Sequence, residues 1–135
     1  MKVTNLLALI VLLGIGLSCS ANANKEKNES EEIKQAETVE VYYFHNKRRC
    51  ATCKTVEKVS KEAVEELDND KVSFKAINIE ESEGKEKAEE LGISGQTLLI
   101  SGGDEKMNIT REGFLYARQP EKLKKLIHEK INSVL

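Results

Sequence analysis

An apolar segment that leads directly into two closely spaced cysteines constrains this chain more than any other feature. Residues Val39–Phe44 are β-branched or aromatic apart from Glu40, which predicts a buried central strand. The segment Cys50-Ala51-Thr52-Cys53 follows. Apolar residues then recur at helical spacing, at Val56, Val59, Ala63, Val64 and Leu67. The sequence therefore predicts a strand followed by a cysteine pair at the start of an amphipathic helix.

The remaining segments complete a regular alternation of strands and helices. Val72–Ile79 predicts a second strand, and Glu80–Leu91 a largely solvated helix that ends at Gly92. Thr97–Ile100 and Lys106–Ile109, separated by a Gly-rich turn, predict a hairpin. A last helix begins at Pro120, with its buried positions expected at Leu123, Leu126, Ile127, Ile131 and Val134.

This order of elements indicates an α/β domain spanning residues 39–135. The predicted order is βαβαββα, with a four-stranded mixed sheet flanked by three helices, which is the minimal thioredoxin fold. With 135 residues, 39% of them apolar, the chain has material for one core and not for two. The cysteine pair falls between the first strand and the first long helix, where this fold requires it.

The N-terminal segment is predicted to be an export signal and is set apart from the fold. Lys2 precedes an apolar run from Leu6 to Leu17, shorter than the roughly 20 residues that span a membrane. Two processing routes are open. Cleavage after Ala21-Asn22-Ala23 would make residues 1–23 a signal peptide, whereas lipidation at Cys19 would limit it to residues 1–18 and anchor the protein to a membrane. Residues 24–38 are predicted to be a polar tether, and both routes place the domain in the periplasm or cell envelope.

Cys50 and Cys53 are expected to form a redox-active disulfide. Either route leaves only these two cysteines of the three free for thiol chemistry. A purely structural disulfide is the alternative in an exported protein, but a bridge across so short a loop constrains little of the unfolded chain. The spacing therefore favours a catalytic role for the pair.

Cys50 is predicted to be the attacking thiol and Cys53 the resolving one. The first turn of a helix favours an anion, and Lys47, Arg48, Arg49 and Lys54 should favour the Cys50 thiolate further. These cations could equally recruit an anionic substrate or an acidic partner. Cys53 comes one helical turn later on the same face, at a deeper position, as resolution of a mixed disulfide requires.

The two histidines and the net charge bear on proton transfer, metal binding and nucleic-acid binding. His45 is a candidate for tuning the thiolate or for moving protons, although a loop histidine after a strand is more commonly solvated. A structural zinc site would need His45 and the distant His128 beside the cysteines, so no metal and no cofactor is expected. His128 is predicted to lie on the surface. A net charge of −2 with interspersed charges argues against nucleic acid as a partner.

Three stretches resemble a known family. Tyr42–His45, Arg48–Lys54 and Gly95–Ile100 are similar to the corresponding parts of the small thioredoxin-like ArsF family, nitrophenyl-compound nitroreductase subunits. The similarity covers most of the domain from Val39 onward and none of the signal or tether. It implies a redox accessory protein of bacterial arsenic-resistance gene clusters. The partners it implies are proteins: a membrane electron donor and reductase subunits that reduce nitro groups on aromatic arsenicals.

The sequence departs from ordinary thioredoxin near the dithiol. Arg49 replaces a tryptophan, and Gln96 stands beside Thr97 where thioredoxin has its cis-proline. We expect Gln96 to line the dithiol with its amide and to hydrogen-bond a bound partner, which favours a dedicated partner over general disulfide reduction. The leading hypothesis is therefore an electron relay. The alternatives are a module that captures trivalent arsenic without turnover, and an adaptor that does not cycle.

Overall fold

The computed structural model describes residues 36–135. The predicted signal peptide, the possible lipidation site at Cys19 and most of the predicted tether lie outside the described residues. Ala36 belongs to the packed domain, since its side chain is buried and its N–H donates to the Val134 carbonyl over 2.8 Å. The domain therefore begins at least three residues before the predicted boundary. None of the helices within residues 36–135 is long and apolar enough to cross a membrane.

The chain folds into a thioredoxin-like α/β domain around a four-stranded mixed sheet, as predicted. The strands lie in the order β2-β1-β3-β4; β1 and β2 are parallel, whereas β3 is antiparallel to both β1 and β4. The elements in chain order are β1 (Val39–His45), α1 (Ala51–Glu66), β2 (Val72–Asn78), α2 (Ser82–Leu91), β3 (Thr97–Gly102), β4 (Glu105–Asn108), α3 (Thr110–Leu115) and α4 (Pro120–Asn132).

The short helix α3 was not predicted, so the domain has four helices within its described residues and not three. Asn108 Oδ1 accepts hydrogen bonds from the Thr110 N–H and hydroxyl, and the Thr110 hydroxyl accepts one from the Leu98 N–H. Gly113 then packs so closely on Leu98 that an added Cβ would lie 3.0 Å from its Cδ2. Six residues are too few to show a helical period, which is why the pattern of apolar residues does not reveal this helix.

Strand β1 divides the core in two because its side chains alternate between the faces of the sheet. Val39, Val41 and Tyr43 pack with helices α1 and α4 in the larger cluster. Tyr42 and Phe44 point to the other face, where they pack with Ala88 of α2 and Leu99 of β3. The strand is thus buried on both faces.

Helices α1 and α4 pack against each other through their apolar stripes and through polar contacts at the edge. Leu123, Ile127 and Ile131 are fully buried, whereas Leu126, predicted to be buried, is only half-buried. The Lys124 ammonium lies 3.4 Å from the Glu62 carboxylate and 2.5 Å from that of Glu66.

His128 is not the surface residue that the sequence predicts. It is half-buried, and its Nε2 lies 2.7 Å from the Ala63 carbonyl of α1, to which it donates. The apolar pattern of α4 alone could not show this contact. It arises because α1 packs close enough to α4 to reach the polar residues at the edge of the apolar stripe. His128 is therefore part of the contact between the two helices.

The contact between α2 and the end of β2 gives a stability prediction. Gly84 of α2 lies so close to β2 that a Cβ would be 2.0 Å from the Asn78 carbonyl oxygen. A Gly→Ala change within a helix usually stabilises by about 1 kcal/mol. We expect Gly84→Ala to do the opposite and to lower the free energy of unfolding by about 2 kcal/mol, as in other overpacked sites.

Urea denaturation would measure this change. Glu86→Ala is the matched control, because Glu86 is exposed in the same helix; it should change the free energy of unfolding by less than about 0.5 kcal/mol. A Gly84→Ala protein as stable as the Glu86→Ala protein would contradict the close packing of α2 on β2.

Candidate functional site

The two cysteines lie at the N-terminus of α1, where they differ in exposure. Cys50 is the N-cap residue and is exposed, whereas Cys53 is only 7% exposed. Their Cα atoms are 5.1 Å apart, and the Sγ atoms lie at disulfide-bonding distance. The Cys50 sulfur also accepts a hydrogen bond from the Cys53 N–H over 3.2 Å. One sulfur is therefore accessible from solution and the other is shielded behind it.

The first turn of α1 carries no acidic residue. By contrast, α2 and α4 have Glu83 and Glu121 in their first turns, where a carboxylate offsets the positive end of the helix dipole. Without such a carboxylate, the free N–H groups and the dipole at the start of α1 act on the Cys50 sulfur itself. This arrangement favours the thiolate of Cys50 when the disulfide is reduced.

The four cations predicted to surround the dithiol are not equivalent. Arg49 is half-buried and pairs with the Glu57 carboxylate one turn below Cys53, so its charge is largely offset. Lys47, Arg48 and Lys54 are exposed. No carboxylate within residues 36–135 forms an ion pair with them. The accessible charge around Cys50 therefore comes from these three side chains.

His45 lies at the end of β1, half-buried, with its ring engaged locally. Its Nδ1 lies 3.0 Å from the Asn46 carbonyl, so this nitrogen carries a proton and donates it. The ring tilts against that of Tyr43, with 6.1 Å between centroids. Among the described residues, the structure shows no hydrogen bond between His45 and either cysteine. No direct contact therefore supports the predicted role of His45 in moving protons.

Gln96 does reach the dithiol, as expected from the sequence. Its Oε1 lies 3.8 Å from the Cys53 sulfur. Its Nε2 donates to the hydroxyl of Tyr43, 2.5 Å away. Register explains this meeting. Because β1 and β3 are antiparallel and Phe44 lies opposite Thr97, the residue before Thr97 lies beside the end of β1 that leads to α1. Gln96 contacts the buried cysteine, Cys53, and not the exposed one.

Thr97 pairs with Phe44 in the sheet, and its recorded side-chain hydrogen bond is to the backbone and not to a cysteine sulfur. Its side chain is buried, and the hydroxyl donates to the Gly95 carbonyl over 3.1 Å. This bond closes the loop that carries Gln96. Thr97 therefore helps to hold the loop from which Gln96 extends.

Tyr43 is the one residue at the site that sequence reasoning missed. The pattern of β1 predicts only a core side chain there, and Tyr43 is indeed fully buried. Its hydroxyl nevertheless ends beside Gln96. Burial raises the pKa of Tyr43, the hydrogen bond from Gln96 lowers it in part, and the net shift is upward. The phenol therefore remains neutral across the ordinary pH range. The signal that could have indicated this contact is a tyrosine, with its polar hydroxyl, in a predicted buried strand that leads into two cysteines.

A metal site is not evident at these residues. Within residues 36–135, no three His, Cys, Asp or Glu side chains are placed together as a metal ion would require. The chemistry available at the site is that of the two sulfurs, with cations outside and a neutral polar pair beneath.

Comparisons with known proteins leave the family unassigned. No protein-family model and no curated protein matches this chain. Among solved structures, the chain is similar to one described as a malarial protein, at 14% sequence identity and a TM-score of 0.40. That similarity covers 61% of this chain and 94% of the other. The geometry of the site is therefore the basis on which a function can be assigned.

Proposed function

We propose that this chain is an exported thiol–disulfide redox protein that relays electrons through Cys50 and Cys53 to a partner protein. The observation that carries the proposal is the unequal exposure of the two sulfurs at the start of α1, with Cys50 exposed and Cys53 shielded. An accessible thiolate can attack a protein disulfide, and a shielded thiol next to it can complete the exchange only within the molecule.

The exchange begins with the reduced protein. The Cys50 thiolate attacks one sulfur of the partner's disulfide, and the partner's other sulfur leaves as a thiolate with the electron pair of the broken bond. Cys53 then loses its proton to solvent, and its sulfur attacks Cys50. The partner's remaining sulfur leaves with the second electron pair and takes up a proton. Two electrons have passed to the partner, and this chain is left with the Cys50–Cys53 disulfide, which a donor must reduce again.

The place of this relay in the cell is proposed from the sequence. The N-terminal segment supports export to the periplasm or envelope, by cleavage after Ala23 or lipidation at Cys19. The resemblance of Tyr42–His45, Arg48–Lys54 and Gly95–Ile100 to the ArsF family supports a membrane electron donor and reductase subunits as partners. The final reaction would be reduction of nitrophenyl compounds such as aromatic arsenicals.

The relay predicts which cysteine holds a partner. In Cys53→Ser protein the resolving step is lost, so a mixed disulfide through Cys50 should accumulate in envelope extracts. Cys50→Ser should accumulate none, because Cys53 is shielded. Non-reducing electrophoresis followed by reduction and mass spectrometry of the released partner would measure both.

Three results would contradict the relay. Trapping through Cys53 in the Cys50→Ser protein would reverse the roles. An absence of any trapped protein in Cys53→Ser extracts would favour the capture of a thiophilic ion without turnover. Unchanged function in cells that carry Cys50→Ser would favour an adaptor that does not cycle.

The exposed cations predict a preference for anionic disulfides. In the Cys53→Ser background, the reduced protein should react faster with oxidised glutathione, which is anionic, than with cystamine, which is cationic. The double change Arg48→Glu and Lys54→Glu should lower the ratio of these two rate constants by about tenfold at low salt, and high salt should remove most of the effect. Because both reagents meet the same thiolate, the ratio separates attraction from a change in thiolate reactivity.

The control variant is Lys71→Glu with Lys106→Glu. This double change alters the net charge by the same amount as Arg48→Glu with Lys54→Glu. The Lys71 backbone carbonyl accepts a hydrogen bond from the N–H of Val39 at the start of β1, and Lys106 lies opposite Ser101. Both residues are therefore at the end of the sheet away from Cys50. Its ratio should remain within about twofold of the parent protein's. If both double variants lowered the ratio equally, net charge and not the surface around Cys50 would govern the preference.

A further inference from the structure

Tyr43 and Gln96 connect the core of the domain to the resolving cysteine. The Tyr43 hydroxyl lies 2.5 Å from Gln96 Nε2, and Gln96 Oε1 lies 3.8 Å from the Cys53 sulfur. Tyr43 is fully buried, Cys53 nearly so and Gln96 half-buried, hence both ends of this chain of polar groups are withdrawn from water. Hydrogen bonds in such surroundings are costly to leave unmade.

The orientation of the amide must follow the state of Cys53. The structure places Gln96 Oε1 toward the Cys53 sulfur while the two cysteines lie at disulfide-bonding distance. In the reduced protein, a Cys53 thiol can donate its proton to this oxygen. A thiolate has no proton and can only accept, so it requires the N–H side of the amide. If the amide turns over, Nε2 donates to the sulfur and Oε1 faces Tyr43.

Tyr43 can serve both orientations because a hydroxyl both donates and accepts. In the recorded orientation it accepts from Nε2. In the turned orientation its O–H donates to Oε1, so no buried polar group loses its partner. A phenylalanine at this position would leave one side of the amide unpaired in either orientation.

We propose that Tyr43 and Gln96 act together as a hydrogen-bond switch that stabilises the Cys53 sulfur as it becomes an anion in the resolving step. Gln96 is the residue that contacts the sulfur, and Tyr43 is a positioning residue that acts through it. The inference rests on the proposed exchange function and adds the group that serves its second step. Cys50 lies outside this pair, since its sulfur is held by the Cys53 N–H.

The two steps can be separated with Ellman's reagent, the disulfide of thionitrobenzoate. Attack by Cys50 releases one thionitrobenzoate at a rate proportional to the reagent concentration. Attack by Cys53 on the mixed disulfide releases the second at a rate that does not depend on this concentration. Stopped-flow absorbance on the reduced full domain therefore reports each step by itself.

We expect Gln96→Met, which keeps the length of the side chain but removes its hydrogen bonds, to slow the second release about tenfold and to change the first less than twofold. Tyr43→Phe should slow the second release by a smaller factor. The double variant should be no slower than Gln96→Met, since Tyr43 acts only through Gln96. Gln96→Glu keeps size and polarity but has no N–H to donate, so it should also slow the second release.

Tyr42→Phe is the matched control. Tyr42 is the neighbouring tyrosine of β1, equally buried, with its hydroxyl bonded to Glu40 on the opposite face of the sheet. Its loss should leave both releases within twofold of the parent protein. Wild-type rates of the second release in Gln96→Met, or in Gln96→Glu, would overturn the switch, as would slowing by Tyr42→Phe equal to that by Tyr43→Phe.

The equilibrium constant for reduction by glutathione gives a second measurement. A purely structural role of Gln96 would leave this constant unchanged. Gln96 bonds the thiol or thiolate better than a disulfide sulfur, so Gln96→Met should lower the equilibrium constant for reduction about fivefold, equivalent to about 20 mV. An unchanged constant would overturn the inference.

These measurements need no partner protein. If Cys53→Ser traps nothing in extracts while the second release slows as expected, the relay fails and the switch stands. If a partner is trapped while the second release is unchanged, the relay stands and the switch fails.

Discussion

The site depends on one strand that is buried on both faces. Because β1 lies inside the sheet, its register with β2 and β3 is fixed by ladders on both sides and by side chains that cannot exchange faces without exposing the core. The end of β1 therefore delivers the chain to the start of α1 at a defined place. The same register brings the loop before β3 alongside. The cysteines and Gln96 meet because β1 cannot slip.

The electrostatics of the two sulfurs differ although they lie in the same turn. Cys50 has the positive end of a helix without a first-turn carboxylate, and exposed cations around it. Cys53 has a neutral pair beneath it, Gln96 and the buried Tyr43. Long-range charge can favour a thiolate that solvent reaches, but it also attracts counterions. Beneath the surface, directed hydrogen bonds are the available means of stabilising an anion without the cost of burying an opposite charge. The proposed roles of the two cysteines, attack by Cys50 and resolution by Cys53, rest on this difference in surroundings.

The Arg49–Glu57 pair limits what the charges around the dithiol can do. In the sequence Arg49 stands next to Cys50 and counts among four similar cations. In the fold it reaches a carboxylate two turns along α1 and its field is largely cancelled. The uncompensated positive charge is thus left to Lys47, Arg48 and Lys54, which are exposed like Cys50. The charge that solvent meets around Cys50 is therefore a property of that outer surface and not of the total charge of the segment.

The sequence by itself determined the order of the elements, the four-stranded mixed sheet and the position of the cysteine pair at the start of a long helix. Those features depend on local periodicity and on turn residues such as Gly92, which ends α2 as predicted and adopts the left-handed conformation there. Periodicity could not find α3, which is held by side-chain bonds from Asn108 and Thr110 and not by an apolar stripe. It also placed Leu126 and His128 wrongly, since the width of the buried stripe on α4 depends on how closely α1 approaches.

Only the tertiary structure decided which polar groups meet. Tyr43 and Gln96 lie 53 residues apart. In the sequence, Tyr43 is simply a core aromatic residue and Gln96 is simply a loop amide. Gln96 could be placed near the dithiol from the fold that the sequence predicts. The link to Tyr43 could not, because it depends on strand register and on the depth of a side chain. Local sequence determines which elements form, whereas the contacts that reach the Cys53 sulfur arise only when distant elements pack.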